Sequence, residues 1–360
     1  MASVIDFSAL TLNNEEARSS AEVVFEHAFF RPELERIHGV QTGVEMDKYI
    51  PIFGKLGLVG KVDPGSCGVN SNTGTIPTSQ KTWTPKLISD RLTHCQANLP
   101  DKLKFWKKSR IAANTWEEIE NEAKAFTEDM VMEAIKNSQI RIAEFSKTTL
   151  SPVGDATGDE TLTAGTPKTY FNMLNGMWAQ LEADAALAPA NKGFRYIESK
   201  NSEATKTAQL ALSSTAALDM FRALYNGISP EAFESGNLTF QITKSYFDNW
   251  QDLLEDKSLV FSLDRTEQGA TKWQYRGIPI VIRYDWDRII KTYFDNGTTY
   301  YLPHRALLAD INNIPIGTSD SESLSALDSF YDKVTKSHYI DFAYKIDCKV
   351  LVESELAYAF

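Results

Sequence analysis

The first apolar periodicity in the chain puts Ala17, Ala21, Val24, Phe25, Ala28 and Phe29 on one helical stripe. Asn13 stands three residues ahead of Glu16, a spacing at which each side chain satisfies the other's backbone donor, and Arg31-Pro32 marks the end of the pattern. These features predict an extended arm carrying one amphipathic helix, which needs its own core or a neighbouring subunit to lie on. Over 39–85 the helical period disappears. Glycines at 39, 43, 54, 57, 60, 65, 68 and 74 alternate with short apolar stretches such as Tyr49-Ile50 and with turn sequences such as Asp63-Pro64-Gly65. A long two-stranded ribbon is predicted there, with too little apolar content to stand alone.

A narrow stripe of Trp116, Ile119, Ala123, Phe126, Met130, Ala134, Ile142 and Phe145 predicts the longest helix, over 116–145. At 1.5 Å per residue it would run about 45 Å, and its seam drifts after Met130, which argues against a coiled coil. Thr115 precedes Glu118 by three residues and opens it with a second capping box. Beyond a Gly/Thr/Asp loop over 151–166, helices are predicted over 170–187, 204–225, 245–254 and 287–294. Strands are predicted over 238–242, 273–283, 300–311 and 340–353. Gly277 and Pro279 interrupt the second of these strands, which suits a sheet edge, and Phe342, Tyr344, Ile346, Cys348 and Val350 alternate along the last. This mixed succession, without an internal repeat, predicts an α+β fold.

Composition adds size and compartment. The 360 residues are 42% hydrophobic, 24% charged and 11% aromatic, which is enough for a large core and exceeds the usual single domain. A net charge of −11 is the wrong sign for a protein that grips nucleic acid by its phosphates. It suits a container around packed DNA and equally an ordinary cytoplasmic enzyme. Two adjacent blocks carry opposite charge: Lys86, Arg91, Lys102, Lys104, Lys107, Lys108 and Arg110, then Glu117, Glu118, Glu120, Glu122, Glu128, Asp129 and Glu133. They read either as two solvated faces or as complementary patches that set register between subunits. Cys67, Cys95 and Cys348 form neither a disulfide framework nor a metal pattern. Met1 to Leu12 lacks a secretory signal, and no run is long and apolar enough for a membrane span.

Candidate chemistry is thin. Gly54-x-x-Gly57-x-x-Gly60 has neither dinucleotide spacing nor a following helix, and Gly65-Ser66-Cys67-Gly68 has no base placed beside its serine. The histidines at 27, 38, 94, 304 and 338 are scattered, and His94-Cys95, as strand neighbours, would point to opposite faces. Asp285, Asp287, Glu353 and Glu355 would make an acid pair only if folding brought them into a cleft. Trp83, Trp106 and Trp116 read as packing residues. The expectation is a protein that is not an enzyme, with no catalytic, cofactor-binding or metal residues.

Several stretches carry a family resemblance. Ala21-Glu22-Val23-Val24-Phe25-Glu26-His27-Ala28-Phe29, followed by Gly39-Val40-Gln41-Thr42-Gly43, resembles the arm of tailed-bacteriophage major capsid proteins. Lys81-Thr82-Trp83-Thr84-Pro85-Lys86 is similar to the strand leaving their ribbon. Tyr170-Phe171-Asn172-x-Leu174-Asn175-Gly176 is similar to the phrase that opens their axial domain, and Tyr275-Arg276-Gly277-Ile278-Pro279-Ile280 is similar to their recurrent strand motif. The resemblance implies an arm over 1–40, an extended β-ribbon loop over 41–85, a peripheral domain over 86–165 and 326–360 containing the spine helix, and an axial domain over 166–325. It implies self-assembly into hexamers and pentamers of an icosahedral phage head enclosing double-stranded DNA, which is held without sequence-specific binding. Portal and scaffold or decoration proteins would be partners, no membrane would be involved, and the chain would reside in the virion after assembly in the host cytoplasm. Some relatives crosslink subunits through lysine and asparagine; Lys55, Lys61 and Lys81 lie in or near the ribbon, and no crosslink is assigned to them. An encapsulin-like compartment shell and an α+β enzyme without a recognisable motif are the alternatives.

Overall fold

The computed structural model describes residues 37–44, 48–53, 78–95, 134–185, 187–188, 192–256, 264–265, 271–318, 328–332 and 337–360. The predicted arm helix, the ribbon tip and most of both charge blocks lie outside the described residues. So do residues 116–133 of the predicted long helix.

The chain enters through β1 (Val40–Gln41), the ribbon strands β2 (Tyr49–Phe53) and β3 (Thr78–Thr82), and β4 (Lys86–Cys95). A helix, α1, occupies 134–145. It is followed by α2 (Met177–Asp184), β5 (Phe194–Tyr196), α3 (Lys206–Leu210), α4 (Ala216–Gly227), α5 (Pro230–Phe233), β6 (Leu238–Ile242) and α6 (Lys244–Asp256). A small hairpin of β7 (Asp264–Arg265) and β8 (Thr271–Lys272) precedes β9 (Gln274–Tyr275), β10 (Ile278–Ile282) and α7 (Tyr284–Tyr293). The remaining strands are β11 (Ala306–Asp310), β12 (Ile316–Thr318), β13 (Asp328–Asp332), β14 (Ser337–Cys348) and β15 (Ala357–Ala359).

Six strands in the order β5-β15-β11-β6-β10-β9 form the central sheet. Period-2 alternation splits its side chains between two cores. Ala306, Leu308, Ala357 and Ala359 face a cluster with Phe221 of α4 and Trp250 of α6. Leu307, Ala309, Tyr358 and Phe360 face a second cluster with Ile142 of α1, Trp178 of α2 and Trp286 of α7. The helices present matching stripes, as in Ala217, Met220, Phe221 and Leu224 of α4. A second, five-stranded sheet is organised by β14, which pairs with β4 over ten residues on one side and with β12 and β13 on the other. Its Ile88, Ile316, Tyr344 and Ile346 join the same cluster as Trp178 and Trp286, so segments from 86–165, 166–325 and 326–360 share one core. The final strand, β15, pairs with β5 and β11 in the six-stranded sheet rather than beside β14.

Several predicted elements occur with shifted ends. The helix expected over 170–187 begins only at Met177, because 171–176 hydrogen-bonds to the residues after α1. Lys147 N donates to Phe171 O (3.0 Å), Gly176 N to Ser146 O (2.7 Å) and Thr148 N to Asn175 Oδ1 (3.0 Å). The helix expected over 204–225 is two helices, α3 and α4. The carbonyl of Gln209, which would continue the first, accepts instead from the His304 ring (2.8 Å). The segment over 273–283 is a hairpin: Arg276 (φ 51°) and Gly277 (φ 83°) take the two positive-φ positions of its turn, and β9 is the sheet edge. The strand expected over 300–311 is confined to Ala306–Asp310, and that over 340–353 runs Ser337–Cys348.

The ribbon is a two-stranded sheet, with Tyr49↔Thr82 and Phe53↔Thr78 in register, joined to no other strand among the described residues. Its base is fastened by Trp83, wholly buried against the backbone of Gly317, by Val44 N donating to Thr318 O (2.9 Å), and by the Lys81–Glu353 pair. The 41–85 limits of the expected loop therefore cut through core contacts at both ends. A close approach elsewhere gives a stability test. A Cβ on Gly227, the last residue of α4, would stand 2.1 Å from the Phe194 ring. Gly227→Ala is expected to destabilise the protein by about 1–3 kcal/mol, read as a lower denaturation midpoint, because the ring must move out of its packing.

Candidate functional site

Two polar assemblies stand out from the apolar cores. The first is sealed between α1, β6, the end of β10 and residues 37–38. Arg283 and Glu144 are each about 1% exposed. Arg283 Nη2 donates to Glu144 Oε1 (2.6 Å) and Oε2 (2.7 Å), and its Nε donates to Asp285 Oδ1 (3.0 Å). Its Nη1 donates to Gln241, and its guanidinium lies 4.5 Å from the Trp286 ring centroid. Glu144 also accepts from Trp286 Nε1 (2.6 Å) and pairs with His38 Nε2 (2.8 Å). His38 Nδ1 reaches Ile314 O (2.9 Å), and Gln241 Nε2 donates to Ile37 O (3.1 Å). Burial opposes ionisation of Asp285, but the charge and hydrogen bonds of Arg283 outweigh it and hold that carboxyl below its usual range. Arg283, Glu144 and Asp285 are all paired, and the two central side chains are closed off from solvent, so the role of the group is to fix elements rather than to react.

The second assembly borders a cleft of about 430 Å³ beside the start of α6. Lys244, Ser245, Asp248, Asn249, Asp287 and Pro303 are among its lining residues. Lys244 pairs with Asp248, and its backbone N–H donates to Asp287 Oδ2 (2.7 Å), while burial pushes the Asp287 carboxyl up. Half-buried Ser245 lies with its Oγ 2.7 Å from Nδ1 of His304, a residue with no solvent exposure. Because a carbonyl can only accept, the Nε2 contact to Gln209 O makes that nitrogen the donor and leaves Nδ1 to accept from the serine. Burial lowers the His304 pKa, consistent with this neutral tautomer.

Of the residues singled out in the sequence, Asp285 joins the sealed cluster, Asp287 lines the cleft and Glu353 holds the ribbon base through Lys81. Glu355 shares a short helical turn with Glu353, and the four carboxylates are not gathered in one cleft. Trp83 is a core residue. Ser66, Cys67, Lys55, Lys61, Trp106, Trp116 and His27 lie outside the described residues, as do the side chains of His94, Cys95 and His338. Both histidines with described side chains, His38 and His304, do take part in the polar assemblies. Their partners come from 59 to 276 residues away in sequence, so no local motif announces them.

The fold is similar to that of phage capsid proteins. A chain of the satellite phage P4 procapsid, solved with its size determination (Sid) protein, matches 94% of this chain and 98% of its own length, at 11% identity and a TM-score of 0.47. A chain of the cyanophage A-1(L) capsid matches 91% of this chain and 92% of its own, at 12% identity and a TM-score of 0.43. The virus-like particle from Pyrococcus furiosus matches over 96% and 99%, at 8% identity and a TM-score of 0.40. No protein-family model and no curated protein matches the sequence.

The sealed cluster makes a direct prediction. Glu144→Leu leaves Arg283 buried with Asp285 as its one remaining carboxylate and should cost about 3–5 kcal/mol in urea unfolding. Glu144→Leu combined with Arg283→Met removes both charges, and its loss should fall clearly below the sum of the two single losses.

Proposed function

We propose that the chain is the major capsid protein of a tailed phage, a structural subunit that is not an enzyme. Its copies form hexamers and pentamers of an icosahedral head around double-stranded DNA. The observation that carries this reading is the ribbon. Its two strands pair only with each other among the described residues, it is anchored at one end through buried Trp83, and Tyr49, Thr78, Ser79 and Gln80 stand exposed along it. A two-stranded ribbon is marginal in water by itself, so a firmly rooted one makes sense when a neighbouring subunit supplies the missing surface. Exposed Leu87 at 63% and Tyr284 at 57% add apolar surface beyond the ribbon. The four-part division into arm, ribbon loop, peripheral domain and axial domain belongs to this proposal, with Trp83 and Val44 assigned to the body. The net charge of −11 would keep the wall from adhering to enclosed DNA. Portal and scaffold or decoration proteins would join the shell during assembly in the host cytoplasm.

Negative-stain microscopy of the expressed protein should show closed shells or regular rings, and monodisperse monomers at high concentration would overturn the proposal. Shells that package protein cargo and exclude nucleic acid would place the chain with encapsulin-like compartments instead. Replacing 52–79 by Asn-Gly, so that a tight turn joins the paired Pro51 and Gln80, should abolish particles while leaving the unfolding midpoint within experimental error. Intact particles from that variant would remove the ribbon from the assembly role.

A further inference from the structure

The geometry points to Ser245 as a reactive nucleophile, a covalent modification site for small neutral acyl or phosphoryl electrophiles that enter the cleft beside α6. This goes beyond the shell proposal and does not depend on it. An ordinary serine hydroxyl is a poor nucleophile at neutral pH and becomes a good one only when a base takes its proton as it attacks. Three features supply that condition. Ser245 Oγ lies 2.7 Å from His304 Nδ1, and Ser245 is one of the residues lining the cleft. The imidazole is fixed in one tautomer by its 2.8 Å bond from Nε2 to Gln209 O, so the bare nitrogen faces the serine. The ring also sits wholly inside the protein with Tyr246 at 5.7 Å, out of reach of competing water on its inner side. Together they form a nucleophile, a base and a group that orients the base. Thr243 Oγ1, 3.1 Å from Ser245 Oγ, holds the hydroxyl in register. Lys244, Asp248, Asp252, Asp287 and Lys291 line the cleft with both signs of charge, and Lys244 is already paired with Asp248, so the cleft presents no dedicated partner for a charged reagent, hence the neutral class.

With diisopropyl fluorophosphate as the probe, a bond forms between Ser245 Oγ and phosphorus, the phosphorus–fluorine bond breaks and fluoride leaves. The hydroxyl proton passes to His304 Nδ1, which keeps it as the imidazolium while fluoride departs into the cleft as the counter-charge. Full-length protein should gain one diisopropylphosphoryl group by intact mass, mapped to Ser245 by peptide sequencing, and Ser245→Ala should abolish it. His304→Gln should slow labelling by about 100-fold or more, the range expected for loss of a general base. In the wild type, labelling should be flat near neutral pH and fall only in acid, below the ordinary histidine range, because burial lowers the His304 pKa. Burial is the largest influence on the ring and Glu198 is the charged group that opposes it, while Lys244, Asp248, Asp252, Asp287 and Lys291 line the cleft on the serine side. The pH profile tests the base even if His304→Gln fails to fold. Absence of an adduct, an adduct that persists in Ser245→Ala, or a rate without acid dependence would each overturn the inference and make the Ser245–His304 bond a packing contact only.

Discussion

Glu144 and Arg283 are taken out of water together, and much of the structure is arranged so that this can happen. Isolated burial of either charge would cost several kcal/mol, and mutual attraction offsets that only when the remaining hydrogen-bonding capacity is also filled. Asp285, Gln241, Trp286 and His38 fill it, and they come from β6, from the first turn of α7 and from the segment just before β1. Helix α1, the central sheet, α7 and the incoming chain are therefore held in one relative position. Apolar packing alone is less selective, because hydrophobic surfaces tolerate sliding that a bidentate ion pair does not.

In the shell proposal the consequence is mechanical. His38 is held at Ile314 and Glu144, while β1 pairs with β12 directly after it. The chain preceding residue 37 thus departs from a fixed point between the two sheets. A few residues later the ribbon departs from another, at Val44, Lys81 and Trp83. In the shell proposal, both parts that reach neighbours are rooted in rigid core, so that force or strain at a contact is transmitted into the body rather than absorbed at a hinge.

The cleft near α6 arises from the same competition that interrupts the helices. His304 captures the carbonyl of Gln209, ends α3 there, and in doing so acquires a fixed orientation beside Ser245. Local preference alone would run one Ala/Leu-rich helix through this region. A partner 95 residues away outweighs the next turn of helix. Similar capture of 171–176 by the end of α1 delays α2. In each case the polar side chain or backbone group that breaks the pattern has a long-range partner, and such partners leave no period in the sequence.

Periodicity was enough for β6, α6 and α7 and for the alternation within β14, since each buries one stripe or face and the spacing of apolar residues records which one. Turn chemistry was enough for the break at Gly277, because few residues accept its positive φ. The α+β class follows from those elements, and the resemblance to phage capsid proteins could be read from short phrases in order. The sealed Glu144–Arg283 cluster, the Ser245–His304 pair and the sharing of one core by segments far apart in the chain were decided only by tertiary structure. Apolar period is a local property repeated along the chain. Hydrogen-bond partnership between single polar side chains is a relation between distant points, and it comes into existence only when packing has brought them together.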